Sequence, residues 1–157
     1  EETRFTYAVG ALALYSPHPE ARLGPDVFSA EFRTLAIANP ATAPYGRAAR
    51  QTLERLGVWE ALQPRLALSP NVSAAYTVAA VGAAEFALVA VSLLEAPGRR
   101  VGGAFWRVPA ALYDPIRQDA VLLAEGAENM VAAAFLAHLQ SPEGRAVIAA
   151  HGYRSAP

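Results

Sequence analysis

The chain has 157 residues, of which 54% are hydrophobic and 17% charged, and its net charge at pH 7 is −1. This composition supplies enough apolar material for a core and too little charge for a disordered chain. Because there is no excess of basic residues, nucleic acid and anionic membranes are poor candidate partners. The chain contains no cysteine, which excludes disulfides, cysteine-ligated zinc and thiol catalysis.

The first predicted elements are two strands and a helix. Aromatic and β-branched residues favour a strand over residues 5–15, followed by a loop over 17–31 with one helical turn. The short apolar run 34–38 has the length of a buried strand in a parallel sheet. A helix is expected over about 44–56, where Pro44 suits the first position because its missing N–H would be unpaired there.

The alternation of strands and helices continues to the end of the chain. Residues 58–68 are predicted to be an irregular connection with a short helical piece near Trp59, and residues 97–100 a turn. The later elements expected are a helix over 72–81, strands over 86–91, 104–108 and 119–123, an extended segment over 109–117, and helices over 127–139 and 142–150. This order predicts an α/β layer with a mixed, mainly parallel sheet.

No metal motif or membrane span is indicated. The histidines His18, His138 and His151 lie far apart, and no pair has the spacing of a metal-binding motif. No apolar run reaches the roughly 18–20 residues that a membrane span needs. The N-terminus carries neither the basic region nor the apolar segment of a signal peptide.

Two strand-to-helix junctions, at residues 39–46 and 69–73, are the features most informative about function. Each places backbone N–H groups without helical partners at a helix N-terminus, where the dipole adds roughly half a positive charge. Helix ends of this kind bind oxyanions without lysine or arginine, and neither junction contains a charged side chain. Ordinary helix capping is the alternative, and the residues taken alone favour it.

Several segments of the chain together carry a family resemblance. No segment is decisive alone, but their order along the chain is specific: residues 5–16, 35–46, 53–57, 71–72, 106–121 and 135–153. In this collinear series the chain resembles the molybdate-binding proteins of ABC importers, the ModA family. The resemblance implies a type II periplasmic-binding-protein fold with one complete α/β lobe and the C-terminal part of the other.

The family resemblance also implies the site. In the family the anion lies between two lobes and is held by backbone N–H groups and hydroxyls without a counter-charge. The matching positions are Tyr45 and Val72, expected as backbone N–H donors, with Asn39, Gly46, Asn71 and Ser73 as supporting neighbours. Many members add a tyrosine hydroxyl at the position that matches Ala90, so that donor is missing here. No catalytic residue, no direct cation ligand and no cofactor is expected.

A further implication concerns domain organisation. Family members begin with an additional N-terminal segment that supplies half of the first lobe. Residues 1–16 are therefore expected to be an inter-lobe strand of lobe 1, residues 17–105 the complete lobe 2, and residues 106–157 the return crossover strand and C-terminal helices of lobe 1. A missing N-terminal fragment or a second copy of the chain is expected to cover the apolar surface left on lobe 1.

The function implied is capture of molybdate or tungstate in the periplasm for an ABC permease in the membrane, without catalysis. Another oxyanion or small anion is an alternative ligand. An enzyme on the same fold is also possible, using Asp114, Asp119, Arg117 and Tyr113, although a surface ion pair beside a hinge strand is favoured for these residues. A ligand-sensing domain would need a DNA-binding helical module, and no such segment is present.

Overall fold

The structure is a computed structural model that describes residues 3–98 and 101–156. Within these residues the strands are β1 Phe5–Gly10, β2 Leu12–Ser16, β3 Leu35–Ala38, β4 Leu66–Ser69, β5 Phe86–Ala90, β6 Ala104–Arg107 and β7 Ile116–Ala120. The α-helices are α1 Pro44–Arg55, α2 Trp59–Leu62, α3 Val72–Ala80, α4 Met130–Gln140 and α5 Pro142–Ala150. None of the helices in the described part is long and apolar enough to cross a membrane.

The larger of two sheets has five strands in the order β4-β3-β5-β2-β6. Strand β3 runs parallel to β4 and to β5, whereas β2 runs antiparallel to β5 and to β6. The sheet is therefore mixed, as predicted, but it is not mainly parallel, because two of its strand pairs are parallel and two are antiparallel. Helices α1 and α2 connect β3 to β4, and α3 connects β4 to β5, as parallel strands require crossover connections.

Strands β1 and β7 form a separate two-stranded antiparallel sheet, in which Gly10 pairs with Ile116. The chain passes from this small sheet to the large one through Ala11, and it returns between β6 and β7. The C-terminal tail lies along β1, because Val9 and Arg154 exchange two backbone hydrogen bonds of 2.9 Å.

Alternation along β2 explains how the large sheet is covered on both faces. Leu12 and Leu14 belong to a core cluster that includes large aliphatic residues of α1 and α2, whereas Ala13 and Tyr15 belong to a second cluster with α3. Successive strand residues point to opposite faces, so one strand serves both layers. The second cluster is rich in alanine, which allows α3 to pack close to the sheet.

Three sequence predictions of strands need correction. The single strand expected over 5–15 is divided at Ala11, since its two halves pair in different sheets. The connection predicted over 58–68 contains β4, a four-residue edge strand whose pairing with β3 is a tertiary interaction. The strand placed at 119–123 is β7 at Ile116–Ala120, because pairing with β1 and not local apolar content sets its position.

Two further predictions concern the turn and the tail. Arg99 and Arg100 of the turn predicted at 97–100 lie outside the described residues. The helix predicted over 127–139 begins only at Met130. Asn129 caps it, and its side chain accepts hydrogen bonds from the amides of Val131 and Ala132 at 3.0 and 3.1 Å.

Candidate functional site

The two predicted junctions lie side by side in the large sheet. Parallel strands β3 and β4 end opposite each other, with Ala38 paired to Ser69. The amide of Asn39 donates to the Ser69 carbonyl over 2.8 Å, so the alignment continues past the strand ends. Because carboxyl ends of parallel strands meet at one edge, both following helices begin at that edge.

The N-terminus of α1 is organised by Asn39. Its carbonyl accepts the amides of Thr42 and Ala43 at 3.2 and 2.9 Å, and its side-chain oxygen accepts the amide of Ala41 at 2.9 Å. The amides of Tyr45 and Gly46 make no hydrogen bond to any described residue. Asn39 therefore shapes the loop, and the N–H groups of Tyr45 and Gly46 are left available.

Gly46 lets this helix end approach the sheet. A Cβ atom at this position would overlap the carbonyl oxygen of Ala38 and would lie 2.6 Å from the carbonyl carbon of Asn39. Any larger residue would push α1 away from the end of β3. Gly46 thus sets the position of the Tyr45 amide relative to the strand edge.

The N-terminus of α3 is capped by Asn71. Its side chain accepts the amide of Ala74 at 2.9 Å, and its carbonyl accepts the amide of Ala75 at 3.1 Å. The amides of Val72 and Ser73 make no hydrogen bond to any described residue. Capping thus uses the third N–H of the helix and leaves the first two available for a ligand.

These helix ends can bind an anion by neutral donors. Helices α1 and α3 have 12 and 9 residues, long enough for the partial positive charge that peptide dipoles produce at an N-terminus. No charged residue occurs in residues 39–46 or 69–73. The arrangement is therefore suited to an anion held by N–H groups, as at other helix N-termini. That Tyr45 and Val72 contact a ligand stays a prediction.

Ala90 is the position at which the family resemblance implies a missing tyrosine hydroxyl. Ala90 is the last residue of β5, is buried, and pairs with Leu12 of β2. A methyl side chain supplies no donor at this position.

The residues considered for catalysis are engaged elsewhere. The Asp114 carboxylate accepts hydrogen bonds from Arg55 and Gln51 at 2.8 and 2.7 Å. These bonds hold its pKa below the usual range, and the bond from Arg55 has the larger effect. The buried Tyr113 hydroxyl accepts the amide of Leu12 at 3.0 Å. Each of these two side chains therefore already has a structural hydrogen-bond partner.

Asp119 belongs to a different interaction. Its carboxylate accepts hydrogen bonds from Thr6 at 2.7 Å and from Arg4 at 2.5 and 2.9 Å, which lower its pKa. Asp114 and Asp119 therefore form two separate surface interactions, with Arg55 and Arg4, whereas the favoured interpretation expected one surface ion pair around Arg117. Among the described residues there is also no group of three or more His, Cys, Asp or Glu side chains able to hold a metal ion.

Sequence reasoning missed Gly10, which contacts the Tyr45 ring. A Cβ atom at Gly10 would overlap the Tyr45 hydroxyl oxygen. The available signal was a glycine inside the strand predicted over residues 5–15, because a glycine within a strand often marks a close approach of another group. The partner, however, is 35 positions away and could not be identified from spacing.

Comparison with known proteins identifies the family. A model of the bacterial extracellular solute-binding proteins matches residues 1–154. The chain belongs to this family. A solute-binding fold also explains the two sheets joined by two chain segments.

Curated relatives are longer than this chain. It is 44% identical over 153 residues to the molybdate-binding protein ModA of Azotobacter vinelandii. The matched region covers 96% of this chain and 61% of that protein. The corresponding protein of Rhodobacter capsulatus is 45% identical over 151 residues, covering 95% and 58%. The chain thus spans about three fifths of the relatives it matches.

Solved structures confirm the predicted fold class. The periplasmic molybdate-binding protein of Azotobacter vinelandii superposes with a TM-score of 0.89 at 35% identity, covering 99% of this chain and 69% of that one. The substrate-binding domain of a putative molybdenum ABC transporter from Clostridium difficile shares the fold, with a TM-score of 0.79 at 17% identity. The resemblance to the ModA family is confirmed by these matches.

Proposed function

We propose that this solute-binding protein captures molybdate or tungstate in the periplasm and delivers it to an ABC permease in the membrane. The observation that carries the proposal is the pair of helix N-termini at one sheet edge, with unbonded amides at Tyr45 and Val72. The names of the Azotobacter and Rhodobacter relatives support molybdate as the ligand. A binding role without catalysis or cofactor agrees with those names.

The proposed mechanism replaces water around a tetrahedral dianion by fixed N–H donors. The amides of Tyr45 and Val72 donate from lobe 2, and donors of lobe 1 close over the opposite side of the anion. Dipoles at the helix ends stabilise the charge without a cationic side chain. Since donors in fixed positions fit one ion radius best, the size of the cleft separates molybdate from the smaller sulfate.

We also propose the division into lobes given by the resemblance, with residues 17–105 as lobe 2 and the flanking segments 1–16 and 106–157 in lobe 1. The pairings of β2 with β5 and β6 support a refinement in which lobe 2 starts just after Ala11 and extends through Arg107. The β1–β7 sheet then belongs to lobe 1. A sheet of two strands is marginally stable by itself, so we expect further polypeptide to complete it.

The apolar surface of α4 and α5 supports this need for a covering segment. Met130 is 84% exposed, Phe135 60% and Val147 56%, on neighbouring helices. Between β1 and these helices lies a cavity of about 480 Å³ lined in part by Phe5, Leu139 and Ile148. We propose that an N-terminal segment like that of the family, or a second copy of this chain, covers this surface.

Calorimetric titration with molybdate, tungstate, sulfate and phosphate tests the function. Saturable binding of the first two, with much weaker binding of sulfate and phosphate, is expected. Equal binding of all four, or none of any, would contradict the proposal. Because lobe 1 supplies donors, the same titration should be made on the chain joined to the N-terminal portion of the Azotobacter vinelandii relative.

Turnover of an ester or phosphate substrate is the corresponding test for an enzyme. Activity that disappears in Asp114→Asn or Tyr113→Phe would replace the binding proposal by a catalytic one. The structure favours the opposite result, because both side chains already serve structural hydrogen bonds.

A further inference from the structure

The Tyr45 side chain extends from the N-terminus of α1 to the small sheet. Tyr45 is the second residue of α1, so its amide belongs to the proposed anion site. Its ring lies over Gly10: a Cβ atom there would overlap the hydroxyl oxygen and would lie 3.0 Å from the ring carbon Cζ. Tyr45 therefore supplies a proposed anion donor through its backbone amide and contacts the small sheet through its side chain.

The contact lies where the two sheets are joined. Gly10 pairs with Ile116. Gly10 is the last residue of β1 before the chain enters the large sheet, and Ile116 is the first residue of β7 after the chain has left the large sheet. The added Cβ atom at Gly10 would also lie 3.3 Å from Cβ of Ile116. Close by, the Leu12 amide donates to the Tyr113 hydroxyl over 3.0 Å and ties the two connecting segments together. The Tyr45 ring therefore lies at the junction of the two sheets.

Packing, and not a hydrogen bond, holds the Tyr45 ring. The hydroxyl makes no hydrogen bond to any described residue. Burial raises its pKa, and the neighbouring tyrosines Tyr153, Tyr113 and Tyr7 raise it further. The hydroxyl thus remains neutral in a cluster of aromatic side chains, and its contact with Gly10 is steric.

We propose that the Tyr45 ring is a positioning group for the anion site. By packing on Gly10 it sets the angle between the sheets at which the Tyr45 amide meets the donors of the other lobe. This inference rests on the proposed function, since it concerns the same site. It adds a residue pair, Gly10 and Tyr45, that couples lobe orientation to anion affinity through shape alone.

A double-mutant cycle tests the coupling. Gly10→Ala is made in the wild-type chain and in Tyr45→Phe, which lacks the overlapping oxygen atom, and molybdate affinity is measured by calorimetry. Because the added methyl group overlaps the Tyr45 hydroxyl, we expect it to alter the angle between the sheets and to weaken molybdate binding on the order of tenfold. We expect that loss in the wild-type background and less than about a threefold loss in the Tyr45→Phe background. Gly102→Ala is the matched control, because a Cβ atom there has no neighbour within 4 Å.

The outcomes are distinct. Equal losses in the two backgrounds would overturn the coupling while leaving the proposed function in place. Failure of the wild-type chain to bind any oxyanion, alone or joined to the relative's N-terminal portion, would overturn the function and this inference together. If Gly10→Ala does not fold, as judged by thermal melting, Tyr45→Leu replaces it. That variant keeps the amide but withdraws the ring, so wild-type affinity in Tyr45→Leu would overturn the inference.

Discussion

Replacing Val72 by proline removes one proposed donor and leaves the helix start intact. Val72 is the first residue of α3, a position at which proline is favoured because its φ is already helical. Proline also requires an extended residue before it, and Asn71 has φ −151° and ψ 173°. Since the Val72 amide makes no hydrogen bond to any described residue, the substitution breaks no internal hydrogen bond.

The expected effect follows from the loss of one hydrogen bond to an anion. Such a bond contributes about 1.5–3 kcal/mol, which corresponds to a dissociation constant roughly 10- to 150-fold higher. The Val72 side chain is half-buried against the alanine-rich core cluster, so its removal also costs packing. Val72→Ala loses most of that packing but keeps the amide, and it is the matched control.

The assay is calorimetric titration of molybdate into Val72→Pro and Val72→Ala, with the melting temperature of each as a measure of folding. The ratio of the two dissociation constants isolates the contribution of the amide. If the proline variant binds as tightly as the alanine variant, the Val72 amide is not a donor. The helix-end mechanism would then be refuted at this position.

Further predictions concern stability. Gly46→Ala should destabilise the fold by about 1–3 kcal/mol in denaturant unfolding, because the new methyl group overlaps the end of β3. Asn71→Ala removes a helix cap and should lower stability by about 1 kcal/mol in the same assay. Asp114 has a lowered pKa through Arg55 and Gln51. Its stabilisation is therefore present at neutral pH and is lost as pH falls through its folded pKa, and Asp114→Asn should flatten the acid unfolding curve.

Each stability prediction has a result that contradicts it. A Gly46→Ala variant as stable as the wild type would mean that α1 shifts freely along the sheet. An unchanged Asn71→Ala variant would mean that solvent replaces the cap. Parallel acid unfolding curves for the wild type and Asp114→Asn would show that the pKa of Asp114 is the same in the folded and the unfolded chain.

Local signals in the sequence predicted the helices that form the site. Pro44 at a first helical position and Asn71 as a cap are short-range features, since each acts on backbone groups within one turn. They placed the starts of α1 and α3 where the structure has them. The unpaired amides at both starts followed from helix geometry alone.

Tertiary structure decided which of these local features meet. The edge strand β4 was missed because its four residues acquire their conformation by pairing with β3, and that pairing places Ser69 beside Asn39. The division of the first strand at Ala11 likewise depends on two different sheet partners.

The sequence by itself determined where α1 and α3 begin and the chemical character of those helix ends, because hydrogen bonding within one turn is encoded locally. Only the tertiary structure brought the two ends to one sheet edge and set the Tyr45 ring on Gly10. Those relations join residues far apart in the chain, and they depend on strand pairing and close packing that no local pattern specifies.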